Sequence, residues 1–332
     1  MSNKSVREIL MIYQTKQQKQ SMKLQMKKQL RIRLKIAIAL TLILVFVFNA
    51  SACSGIKQYL WPEPTTAAPA APTSDITIIP GWSVVQIAEE LEKKNVCTAD
   101  SFLNACKVIP AGYDDLAEGL SSASGYIFAA EGLIIPETIN MYQDRDGDYA
   151  LRTLLNYSQS ELKKIENDGM TAFARAEQLD MSIYEVLTLA SIIQYEANLG
   201  ATEKDLETMQ MVSSVFTNRL NNSANFPYIG SDATRKYVEV KMKDYLTSIG
   251  ATEGTAQYNK YFEGYCTNDQ YDLKTKGLPV GPVGCPSVSA IKAALWPSTS
   301  NNYYFFTDVD NNFHFYTNLN DFQTEWNTKY KH

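Results

Sequence analysis

Histidine is nearly missing from this chain: two occur in 332 residues, His314 and the C-terminal His332. A zinc cluster or a Ser-His-Asp triad has little to be built from. There is no glycine-rich phosphate loop and no internal repeat. Cysteine is scarce too, at five. Cys97 with Cys106 and Cys266 with Cys285 are candidate pairs that leave Cys53 odd, while buried free thiols account for the same count without any bridge. These absences leave carboxylate chemistry as the main catalytic option, with no cofactor and no metal implied.

Charge is present but unevenly spread. Residues 1–35 hold ten Lys or Arg and one acid, a net of +9, so the remainder of a chain at −5 stands at −14. The basic block lies directly before a charge-free apolar run, Ile36 to Phe48, broken by Thr41 alone and extended by Asn49 to Cys53. A basic arm alone would suggest nucleic acid, but adjacency to an apolar segment points to membrane insertion and away from nucleic acid. Lys and Arg stay cytoplasmic, so residues 1–35 are expected inside, 36–53 as a single-pass anchor in a bacterial cell membrane, and the rest outside. Thirteen residues, twelve of them apolar with Thr41 among them, are short for a span of about 20. Ala50-Ser51-Ala52-Cys53-Ser54-Gly55 also resembles a lipoprotein processing box, which makes a lipidated Cys53 the alternative. The long basic region argues against a cleaved signal.

Residues 54–75 are rich in Pro, Ala and Thr and read as a semi-rigid spacer. A short strand at Ile76–Ile79, a Pro80-Gly81 turn, a helix capped by Ser83 and Gln86 with Val84, Ile87, Ala88 and Leu91 inward, and a second helix from about Thr98 to Cys106 make a small unit over 76–125. From about 148 to 221 the pattern is mostly helical. Thr202 and Asp205 cap a helix carrying Leu206, Met209, Val212, Phe216 and Leu220 inward. Aromatic strands at Tyr303–Thr307 and Phe313–Thr317, around Asp308 to Asn312, predict a hairpin. With 45% apolar residues the chain can bury a good core in about two domains. The class is α+β.

The most informative stretch runs from Leu187 to Ala197. Ser182 and Glu185 are spaced as a capping box, and Val186, Leu189, Ala190, Ile193 and Ala197 form one apolar stripe of a helix. Glu196 falls roughly 70° from the middle of that stripe, at the edge of the core. A carboxyl half removed from water has its ionised form disfavoured, so its pKa rises toward the range of a general acid. An ordinary border carboxylate occupies the same position just as well.

Ala190-Ser191-Ile192-Ile193-Gln194-Tyr195-Glu196 resembles the ASIIEKE helix of the endolytic murein transglycosylases, the MltG or YceG-like family. Val215-Phe216-Thr217-Asn218-Arg219-Leu220 is similar to that family's VFxNRL helix end, and Ser231-Asp232-Ala233-Thr234 to its SDPT turn. Gly277-Leu278-Pro279-Val280-Gly281-Pro282-Val283 resembles its GLPxGPI loop, followed by an AxxAAxxP-like stretch at Ala290 to Pro297. Glu131-Gly132-Leu133-Ile134-Ile135-Pro136-Glu137-Thr138 is similar to its EGYLFPDT segment. Gln194, Ala233, Cys285 and Ser287 depart from the usual residues.

The resemblance implies a LysM-like subdomain over 76–125 and a helix-rich lytic transglycosylase domain over 126–332 with the hairpin in its C-terminal part. It places the catalytic acid on Glu196 and substrate contacts at Glu131, Glu137, Asn218, Arg219, Ser231, Asp232, Thr234, Gly277 and Pro279. The substrate it implies is the peptidoglycan glycan strand, cut between MurNAc and GlcNAc to leave 1,6-anhydroMurNAc ends, with cell wall synthases as possible partners. A lysozyme-like hydrolase would pair Glu196 with Asp232, Glu131 or Glu137. A non-catalytic wall-binding scaffold is the reading from a different class.

Overall fold

The computed structural model describes residues 71–120, 125–197, 200 and 202–330. The basic segment 1–35, the anchor 36–53 with Cys53, and the spacer as far as residue 70 lie outside the described residues. No helix among the described residues is long and apolar enough to cross a membrane. Ala71–His332 forms one compact unit.

It opens on β1 (Thr73–Thr77), three residues earlier than the apolar run suggests. Helices α1 (Val84–Lys93) and α2 (Ala99–Ala105) follow, then the single turn α3 (Asp114–Ala117). Ser83 and Gln86 close the expected capping box, and the inward face of α1 is Val84, Ile87, Ala88 and Leu91. Val84, Ile87 and Leu91, taken out of water, each contribute about 1.5–3 kcal/mol, and the Ala88 methyl less. The partner of β1 is β2 (Thr138–Tyr142), antiparallel, with Ile76 opposite Ile139. The small unit therefore closes beyond residue 125, around a strand that the sequence pattern does not mark.

Helix α4 (Gly147–Leu162) packs on α2, and a two-residue ribbon, β3 (Glu166–Asn167) with β4 (Met170–Thr171), leads into α5 (Ala172–Gln178). Next come α6 (Ile183–Ala197) and α7 (Glu203–Asn221). Both capping boxes form: Glu185 N–H donates to Ser182 Oγ at 3.2 Å, and Asp205 N–H to Thr202 Oγ1 at 3.2 Å.

Helix α6 departs from the single-stripe expectation. Every residue from Ile183 to Gln194 is buried except Glu185, because α5, α7, α11 (Val288–Leu295) and α8 (Asp232–Lys236) all pack on it. Thr188, Ser191 and Gln194 find internal partners. Thr188 Oγ1 donates to Tyr184 O at 2.8 Å, Ser191 Oγ donates to Thr188 O at 2.7 Å, and Gln194 Oε1 accepts from Ser287 N–H at 3.1 Å.

After α8 the chain enters a π-helical turn (Tyr237–Lys241), then α9 (Lys243–Ser248) and α10 (Ala256–Tyr265). Strands β5 (Tyr304–Thr307) and β6 (Phe313–Tyr316) form the expected hairpin, and α12 (Leu319–Glu325) follows. Asp308 holds the hairpin turn by accepting from Asp310 N–H, Asn312 N–H and the His314 ring. The four described cysteines, Cys97, Cys106, Cys266 and Cys285, are buried free thiols, so neither candidate disulfide is present.

Candidate active site

Glu196 sits in the last turn of α6, half-buried, where the helix runs out of the core. Ser231, the N-cap of α8, donates its hydroxyl to Glu196 Oε1 at 2.6 Å. Burial raises the Glu196 pKa above its ordinary value; the Ser231 and Ala233 N–H hydrogen bonds pull the other way, and Asp232 adds to the rise. The group is thus biased toward its protonated form while held in one orientation.

The holder of that orientation is itself fixed. Ser231 N–H donates to Thr267 Oγ1 at 3.3 Å, Thr234 Oγ1 donates to Ser231 O at 2.8 Å, and the Thr234 and Thr267 hydroxyls lie 3.0 Å apart. Ser231, Thr234 and Thr267 are all buried. Thr267 has no signal in the sequence, since a lone threonine beyond a helix end looks like any turn residue. Asp232 is more than half exposed and lies beside the clasp, where it accepts from Asn268 Nδ2 at 3.3 Å.

The remaining positions singled out by the sequence go elsewhere. Asn218 Nδ2 donates to Ser300 O at 3.0 Å and Asn302 O at 2.9 Å. Arg219 Nε donates to Tyr303 O at 2.8 Å, its Nη1 reaches Ile229 O, and its guanidinium lies over the Phe226 and Tyr304 rings. Both side chains bind the hairpin segment to α7. Burial lowers the Arg219 pKa, and the nearby Glu196 charge opposes that.

Gly277, at φ +66°, makes a parallel bridge with Tyr228 and donates its N–H to Pro227 O at 2.9 Å. Pro279 lines a cavity of about 460 Å³ with Thr188, Leu189, Leu220, Lys276 and Pro297. Thr188 is eight residues before Glu196, about 12 Å along the α6 axis, so that cavity lies toward the far end of the helix. Glu137 stands beside β2, accepting from Tyr157 OH at 3.1 Å. Glu131 is completely buried, with Val84 N–H 3.3 Å from each carboxyl oxygen and Tyr237 OH at 2.8 Å. Of the nine expected contacts, Ser231, Asp232 and Thr234 are gathered around Glu196, and Arg219 is near enough to feel its charge.

Residues 63–328 match the YceG-like family model. The chain is 26% identical over 253 residues to an endolytic murein transglycosylase of Streptococcus pneumoniae, covering 70% of this chain and 40% of that protein. It is 28% identical over 175 residues to an endolytic murein transglycosylase of Bacillus subtilis, covering 53% of this chain and 41% of that protein. It therefore spans about two fifths of the length of these curated relatives. A crystal structure of a YceG-like protein from Listeria monocytogenes superposes with a TM-score of 0.57 at 20% identity, covering 76% of this chain and 75% of that one, and shares the fold.

Proposed function

The chain belongs to the YceG-like family, and from that premise we propose that it is an endolytic lytic transglycosylase of peptidoglycan with Glu196 as its catalytic acid and base. The observation that carries the reading is the half-buried Glu196 carboxyl, biased toward protonation and clasped by Ser231 through one of its two oxygens. Glu196 delivers its proton to the glycosidic oxygen as the bond from the MurNAc anomeric carbon breaks. The resulting carboxylate then takes the proton of the MurNAc C6 hydroxyl, whose oxygen bonds to that carbon and closes the 1,6-anhydro ring. No water is consumed, and the carboxyl returns to its starting state. A second carboxylate is unnecessary because the substrate carries its own nucleophile.

In this reading the enzyme acts on nascent strands and ends glycan elongation, beside the cell wall synthases that extend them. The basic residues 1–35 and the apolar segment 36–53 support an anchored enzyme with its catalytic unit outside the cell membrane, and a lipidated Cys53 would leave it on the same face. The β1-α1-α2-β2 unit is the candidate LysM-like wall contact.

The hydrolytic alternative has one specific observation in its favour, the exposed Asp232 carboxylate next to the Glu196 clasp. Mass spectrometry of uncrosslinked glycan strands digested by the protein separates the readings. Internal fragments ending in 1,6-anhydroMurNAc are expected. Ordinary reducing ends would establish a hydrolase, and intact strands a binding scaffold.

A further inference from the structure

Glu131 is a fully buried carboxylate that the proposed chemistry does not use. It sits at the N-terminus of α1, where Val84 N–H donates to it, and it accepts from Tyr237 OH at 2.8 Å. A helix N-terminus suits a buried negative charge. Gly132, at φ +69°, allows the close approach of the loop over residues 277–283, since a Cβ there would meet Pro282 at 2.1 Å. Lys241 lies at the other end of the π-helical turn. Its ammonium donates to Gly81 O at 2.8 Å and Val283 O at 3.1 Å, and stands 4.7 Å from the centre of the Tyr195 ring, next to Glu196 in sequence.

These residues join the Glu196 clasp by two short routes. Tyr237 N–H donates to Ala233 O, so the π-helical turn continues the short helix that Ser231 caps. The Tyr237 ring also packs on Tyr265 at 4.7 Å, and Tyr265 is two residues before Thr267, which holds Ser231 N–H. We propose that Glu131, Tyr237 and Lys241 form an internal brace that positions Ser231 and, through it, Glu196, so that they are positioning residues for the reaction. This rests on the assignment of Glu196 as the catalytic acid.

The brace is electrically sensitive. Burial pushes the Glu131 pKa up to about 7, opposed by Tyr237, Lys241 and the Val84 and Gly132 N–H groups. Burial lowers the Lys241 pKa, and Glu131 raises it. The other titratable groups facing Glu131 are Cys106, Cys285, Tyr184 and Tyr265, each with its charged form disfavoured by burial. Lys241 is therefore the cation opposite it.

The test uses the full chain carrying Glu131→Gln or Lys241→Met, with Leu151→Ala at a buried position of α4 as a destabilised control that takes no part in the brace. A loosened clasp costs up to about 10-fold in kcat, no more than loss of the Ser231 hydroxyl through which the brace acts, and KM should change little. Leu151→Ala should keep the wild-type kcat per folded molecule. The loss from either brace variant should shrink in a Ser231→Ala background, because both act through the same clasp. The ¹³C titration of the Glu196 carboxyl, read whether or not glycan is cleaved, should move upward in midpoint as the Ser231 hydrogen bond loosens. A wild-type kcat with an unmoved midpoint, or full additivity with Ser231→Ala, would overturn the brace. If Glu131→Gln does not fold, Lys241→Met carries the same comparison. An inactive wild-type protein would remove the proposed function, leaving the titration to decide on the brace.

Discussion

Two polar stretches, Asn218–Arg219 at the end of α7 and Ser231–Thr234 at the start of α8, look equally functional in the sequence but send their side chains to different ends. The first reaches the carbonyls of Ser300, Asn302 and Tyr303 and secures the hairpin. The second turns its hydroxyls onto Glu196 and onto the threonine that fixes it. Both are rich in donors, so residue type alone does not separate them. The difference lies in what stands opposite: backbone carbonyls that need a donor in one case, a carboxyl that needs an orientation in the other. One stretch secures the fold and the other the orientation of the Glu196 carboxyl.

The sharpest break is at the carboxyl itself. Glu196→Gln preserves size and the bond from Ser231 but carries no proton to give, so cleavage should fall by about 10²-fold to 10⁴-fold while the thermal midpoint stays near wild type. Retained activity would move the acid to another residue. On the scaffold side, Asn218→Ala strands two carbonyls of the half-buried hairpin segment, a loss of about 1 kcal/mol for each. A lowered thermal midpoint with an unchanged kcat per folded molecule is the expected result. Loss of kcat at an unchanged midpoint would move Asn218 into the chemistry. The smallest effect is expected at the clasp. Ser231→Ala removes a hydrogen bond that lowers the Glu196 pKa, so that pKa should rise further. A general acid works while protonated, so the alkaline fall of kcat/KM should shift to higher pH, with a loss of roughly 10-fold from poorer aim. An unmoved alkaline limb would mean that another group sets it.

Local rules made much of this legible. The pairs Ser83 with Gln86, Ser182 with Glu185 and Thr202 with Asp205 mark helix starts because each satisfies amides within its own turn. The hairpin around Asp308 is likewise written within a few residues. Strand β2 was not, because its outward positions are exposed and its pairing with β1 closes across some sixty residues, with Ile76 opposite Ile139. The single apolar stripe leaves out Ser191 and Gln194 of α6, yet both are buried, and Val283 and Ser287, distant in sequence, bring N–H groups to them. The edge position of Glu196 could be read from periodicity. Glu131 resembled a substrate contact, while its actual partners, Val84 and Tyr237, lie far away along the chain.

The π-helical turn closes with Met242 N–H donating to Tyr237 O at 2.9 Å, five residues apart instead of four. Such a turn holds one residue more than an α-helical register would. Shortening the chain there by one residue, at the exposed Val240 for instance, would restore ordinary helix and rotate Lys241 by about 100° about the axis. Its ammonium would leave Gly81 and Val283, although every remaining residue would be unchanged in kind. This segment should therefore tolerate exchanges of side chain at its exposed positions far better than any change in length.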